Sequence, residues 1–68
     1  MNLLMSIKKL DLSNNNLKDQ GAKELSYSLK LNQSIENLNI KKNDIFVEGG
    51  QYLVQSMLEN RSIRHIKT

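Results

Sequence analysis

The feature that most constrains this chain is a self-match at an offset of 28 residues. Leu10 falls on Leu38 and then on Ile66; Leu12 falls on Ile40, Asn15 on Asn43, Leu17 on Ile45, Gly21 on Gly49, Leu25 on Leu53, Leu29 on Met57 and Asn32 on Asn60. Ser6, Ser34 and Ser62 line up, as do Ile7, Ile35 and Ile63. Such a period marks a repeated supersecondary unit. No unit can bury its apolar side alone, so neighbours must stack to make a common core. The units divide the chain into residues 7–34, 35–62 and 63–68, the last holding only a strand, while residues 1–6 align with the tail of a preceding unit. Residues 1–68 therefore read as a single domain or a fragment of a longer array.

Two shorter periods alternate inside each unit. Ile7-x-x-Leu10-x-Leu12 ends with apolar residues at every second place, the pattern of a strand with one buried face. Ala22, Leu25 and Leu29 then recur at three and four, the stripe of a helix packed on one side, with Gly50, Leu53 and Met57 in those places one unit on. Asp19 is placed to cap the first helix through its carboxylate. Val47 stands at the matching position, which predicts a weaker start for the second helix. Asn32 and Asn60 stand where the helices must stop, and asparagine tolerates the left-handed backbone that helix ends often use. The expected fold class is α/β, a right-handed strand–helix solenoid of about 2.5 repeats with three parallel strands and two complete helices.

Size makes the packing of these units critical. Below roughly 70–80 residues one core rarely supplies more than about 3–5 kcal/mol. This chain has 68 residues and no cysteine to form a disulfide. Only 4% of it is aromatic, so leucine and isoleucine must carry the core. Absence of cysteine fits a cytoplasmic location. Residues 1–5 are apolar but lack the charged head and long apolar run of a signal peptide. No stretch approaches the roughly 18 apolar residues of a membrane span.

The strings Leu10-Asp-Leu-Ser-Asn-Asn-Asn-Leu17 and Leu38-Asn-Ile-Lys-Lys-Asn-Asp-Ile45, each followed by Gly-x-x-x-Leu, resemble the leucine-rich repeat family, in particular its 28-residue ribonuclease-inhibitor-like class. Similar units occur in NOD-like receptors, tropomodulins and Ran GTPase-activating proteins, a range too wide for the fold to name a role. The resemblance implies a parallel sheet on the concave side and helices on the convex side. It implies that Leu10, Leu12, Leu38 and Ile40 point between the layers. It also implies that Asn15 and Asn43 are buried, their amides satisfying backbone groups of adjoining turns. By analogy alone it leaves a GTPase-regulating role among the alternatives.

If Leu10 and Leu12 face inward, alternation turns Lys9, Asp11 and Ser13 out onto the concave surface. Their equivalents form three columns: Lys9–Asn37–His65, Asp11–Asn39–Lys67 and Ser13–Lys41. These are the candidate partner-binding residues, against the plainer reading that they are only solvated strand positions. The net charge is +3, and it is unevenly placed. Segments 7–15, 35–43 and 63–68 hold six Lys and Arg against Asp11 and Glu36, a local +4; the remainder is −1. A protein with an acidic patch is the partner this charge favours. Nucleic acid would also be attracted, but no aromatic stands among the strand positions to stack a base.

No residue pattern points to catalysis, a metal or a cofactor. His65 is the only histidine, and a catalytic histidine needs a nucleophile or carboxylate in reach. Asp11 lies two strands away, roughly 10 Å at the usual strand spacing. Gly49-Gly50 lacks the lysine of a phosphate loop. Asn32-Gln-Ser34 and Asn60-Arg-Ser62 match a glycosylation acceptor pattern, but their identical place in successive units reads better as a turn consensus.

Apolar residues off the core stripe suggest a second kind of contact. Val54 and Leu58 flank the stripe of the second helix where Ser26 and Lys30 stand in the first. Leu3 and Leu4 offer apolar surface at the other end, and Tyr27, Tyr52 and Phe46 are further large side chains off the stripe. The favoured function is a non-enzymatic protein-binding module using the concave face. The alternative is a small structural subunit joined to a larger assembly through its ends, by further repeats, self-stacking or docking.

Overall fold

The computed structural model describes residues 7–68, so Leu3 and Leu4 lie outside the described residues. Strand β1 (Lys9–Asp11) leads to helix α1 (Lys18–Leu31), β2 (Asn37–Asn39), α2 (Val47–Glu59) and β3 (His65–Lys67). The strands form one parallel sheet in the order β1-β2-β3. Its register is the sequence repeat itself: Lys9 pairs with Asn37 and then His65, Leu10 with Leu38 and Ile66, and Asp11 with Asn39 and Lys67. The hydrogen bonds repeat as well. The Lys8 carbonyl accepts from the N–H groups of Glu36 and Asn37, and one unit on the Glu36 carbonyl accepts from Arg64 and His65.

The core lies between sheet and helices and consists of Ala22, Leu29, Ile35, Leu38, Ile40 and Leu53. Leu10, Leu12, Leu25, Ile45, Met57 and the flanking Ile7 and Ile63 pack against it while partly exposed. Leu25 thus sits at the margin of the core, whereas its equivalent Leu53 is within it. The buried residues of α1 are Ala22, Ser26 and Leu29, and those of α2 are Gly49, Leu53 and Ser56. Ser26 and Ser56 are small enough for this contact layer, and their hydroxyls donate to the carbonyls of Lys23 and Leu53.

Small residues let the helices approach closely. A Cβ on Gly49 would lie 2.6 Å from Asp19 Oδ1, 2.8 Å from Asp19 Cα and 3.0 Å from Ala22 Cβ. Beyond this seam, Lys30 of α1 pairs with Glu59 of α2 at 3.5 Å, a half-exposed contact of small net worth.

The helix ends differ from the sequence expectation. Neither helix has a side-chain cap at its start. Asp19 falls inside the first turn, where its carboxylate still suits the helix dipole. Its Oδ1 instead accepts the Phe46 N–H at 2.7 Å, tying α1 to the loop before α2. The predicted contrast in capping therefore disappears, and the Asp19-to-Val47 change bears on inter-repeat contact. Asn32 and Asn60 close the helices in extended backbone, with φ of −78° and −77°, not in the left-handed region. Left-handed residues occur in the strand-to-helix loops, at Asn14, Asn16, Lys42 and Asp44, and at Lys18, the first residue of α1. Asparagine and aspartate bear that conformation most readily among non-glycine residues.

Candidate partner-binding face

Alternation along each short strand separates core from surface. Leu10 and Leu38 turn inward, and their neighbours turn away from the helices. The columns Lys9–Asn37–His65 and Asp11–Asn39–Lys67 are therefore real rows across the sheet. Together with the backs of Leu10 and Leu38 they line one shallow depression of about 210 Å³. Ser13 and Lys41 follow at the strand ends and do not line it.

The polar groups of this face are oriented by the turns that follow the strands. Asp11 Oδ1 accepts both the Ser13 N–H at 2.9 Å and the Ser13 hydroxyl at 2.7 Å. These two bonds, with a smaller contribution from the Lys67 charge, hold the Asp11 carboxyl below its ordinary value. One repeat on, Asn39 Oδ1 accepts the Lys41 N–H at 3.1 Å. The same turn thus fixes an acid on β1 and an amide on β2. Among the described residues, Lys9, Lys41 and Lys67 enter no ion pair, while Lys8 reaches Glu36 at 3.9 Å.

Asparagines behind the face hold the turns. Asn43 is buried, and its Oδ1 accepts from the Asn15 and Leu17 N–H groups while its Nδ2 donates to the Leu12 and Ile40 carbonyls. Asn15, expected to be buried, is exposed, because no described unit covers it. Its amide donates only locally, to the carbonyls of Leu12 and Ser13. Asn32 and Asn60 serve as turn residues, as their repeated position suggested. Asn60 Oδ1 accepts from Ser62 and Ile63, and its Nδ2 reaches back to the Leu29 and Asn32 carbonyls. Asn32 Oδ1 receives Ser34 and Ile35 in the same way. Sequence reading placed these residues in the turn but missed the reach between repeats, which only stacking creates.

A second surface lies beyond α2. An apolar groove of about 390 Å³ runs between that helix and the end of β3, with Ile40, Ile45, Leu53, Val54, Met57 and Ile66 among its lining residues. Val54, off the core stripe of α2, is one of these lining residues. Leu58 does not, and stands 75% exposed to the side. Phe46 and Tyr27 are exposed, while Tyr52 is half-buried with the Lys23 ammonium 5.3 Å from its ring centroid.

A family model described as Leucine Rich repeat matches residues 4–26 and 31–54, two stretches that each carry one strand, its loop and the first part of the helix that follows. The chain belongs to the leucine-rich repeat family. A search of curated proteins gives no match. Leucine-rich repeats generally mediate protein–protein interaction and are generally non-enzymatic, so a protein is the class of partner this membership supports. Among the described residues no helix is long and apolar enough to cross a membrane, and no three His, Cys, Asp or Glu side chains come together as metal ligands.

Proposed function

We propose that this leucine-rich repeat chain is a cytoplasmic binding module that receives an acidic protein partner on its concave strand face. One observation carries the reading. The outward columns stand in register across three strands and present Lys9, Asn37, Asn39, His65 and Lys67 around one depression. Lysine ammonium groups that enter no ion pair among the described residues lose little by turning to a partner's carboxylates, and they steer its approach. Lys41→Glu with Lys67→Glu tests this against labelled polyglutamate and against acidic proteins co-purifying with the chain. The reversal should weaken binding by about tenfold and flatten its salt dependence, since surface charge is what salt screens. Unchanged binding in the double variant would sink the proposal.

A second reading is favoured by the groove beside α2. In it the chain is a small structural subunit joined to an assembly through that end. The apolar groove and the edge of β3, unpaired among the described residues, lie together, and both would be covered by one docked element. Sedimentation of the isolated chain at micromolar concentration decides this. Association, abolished by Val54→Asp, supports it; a compact, cooperatively melting monomer counts against it.

A further inference from the structure

Resting on the concave-face reading, we infer that Asn39, Lys41 and Lys67 form a carboxylate-receiving subsite on the β2–β3 side of the face, and that Asp11 confines it there. The argument begins with an amide whose direction is forced. A backbone N–H can only donate, so the Lys41 N–H requires the oxygen of the Asn39 side chain to face it, at 3.1 Å. The Asn39 Nδ2 is then the end left for a ligand, and it has no partner among the described residues. Asn39 therefore offers a donor, although an asparagine could in principle offer either sign.

Lys67 stands directly across from Asn39 in the sheet register and lines the same depression. Lys41 lies two residues past Asn39, beyond the end of β2, and does not itself line the depression. An N–H donor with one lysine across from it in the register and another two residues on is an acceptor's site, and hydrogen bonds with an ionised partner are the stronger kind. On β1 the same turn does the opposite. Asp11 holds one carboxylate oxygen with two bonds from Ser13 and lines the depression from its β1 side. It repels a ligand carboxylate from that side. The Asp11–Asn39–Lys67 column thus runs from an acid on β1 through a fixed donor on β2 to a base on β3. The subsite holds no arginine fork of the sort that favours bidentate phosphate contacts. The ligand is an acidic peptide segment recognised through a carboxylate.

The probe is a short labelled peptide of alternating glutamate and serine, read by fluorescence anisotropy, with its phosphoserine–serine counterpart alongside. Asn39→Asp keeps an oxygen for the Lys41 N–H and so keeps the turn, but replaces the donor by a negative charge. It should weaken the glutamate peptide by about tenfold. Asp11→Asn should tighten it by about threefold, since one like charge is removed from the face. If Asn39→Asp binds as the wild type does while the Lys41/Lys67 reversal still loses binding, the face reading stands and the subsite falls. If both variants bind unchanged, both readings fall. Tighter binding of the phosphoserine peptide overturns the carboxylate assignment.

Discussion

Asn15 and Asn43 occupy the same place in successive repeats, yet they do different work. Asn43 lies under the first unit, is 2% exposed and bonds the backbone of two loops at once. Asn15 is exposed and bonds only its own turn through its amide. The same divide separates Leu29, fully buried between the helices and sheet, from Met57, which is partly open. It also separates the two helix faces that look toward the next unit. On α1 that face carries Asp19, Ala22, Ser26 and Lys30, which fit the second unit with small side chains, one carboxylate accepting the Phe46 N–H and one ion pair. On α2 the matching residues are Val47, Gly50, Val54 and Leu58, and Val54 and Gly50 open into the apolar groove. In a repeat protein burial is conferred by the neighbour, and identical residues inherit different energetics from their place in the stack.

The largest break in that comparison should come from Asn43→Ala. It strands several buried backbone groups and should cost about 4 kcal/mol, at one to three for each unsatisfied group. Asn15→Ala should cost under about 1 kcal/mol. Urea melts of the two variants would show them indistinguishable if the repeat position, not the stacking, set their worth. Leu29→Ala should follow at about 3 kcal/mol against about 1 for Met57→Ala, because only the first leaves an enclosed cavity.

The adjacent glycines sharpen the contrast further, since they should change stability in opposite directions. Gly49→Ala forces a methyl against the Asp19 backbone and should destabilise by about 2 kcal/mol. Gly50→Ala meets nothing within 4 Å and should stabilise by about 0.5–1 kcal/mol through helix propensity. Thermal melts that moved the same way for both would contradict the close approach of α1 and α2.

The smallest effect concerns Asp11 against Asn39. The Asp11 carboxyl lies below its ordinary value of 3.8, so the stability tied to its ionisation is fully present above that value and is lost as pH falls through the lower folded one. A carbon-detected titration should give an Asp11 midpoint below 3.8, moving upward in Ser13→Ala. A midpoint unmoved by Ser13→Ala would remove the Ser13 hydroxyl as its cause.

Several features were legible because they follow from local pattern and period. The 28-residue offset set the register, since Lys9, Asn37 and His65 must fall opposite one another once the units stack in parallel. Alternation in Leu10-x-Leu12 and Leu38-x-Ile40 names the outward columns from the sequence alone. Other features were hidden because they depend on what lies across a helix seam or at the open side of a stack. Asp19 looked like a cap, but it accepts a hydrogen bond from Phe46, 27 residues away. Leu25 looked like core, yet it sits at the margin on the side where no described helix covers α1. Asn32 and Asn60 looked suited to left-handed backbone, but their side chains bind the following turn and leave the main chain extended.

By itself, then, the sequence determined the unit, its strand and helix segments, the register between units and the identity of the outward columns, because each is fixed by spacing along one chain. Only the tertiary structure decided which of two equivalent asparagines is buried, which glycine is pressed against a neighbouring helix, which end of the Asn39 amide faces out, and that α2 borders an apolar groove. Those outcomes depend on distances between residues about one repeat apart or on the presence of a neighbour, and the pattern within a single unit carries neither.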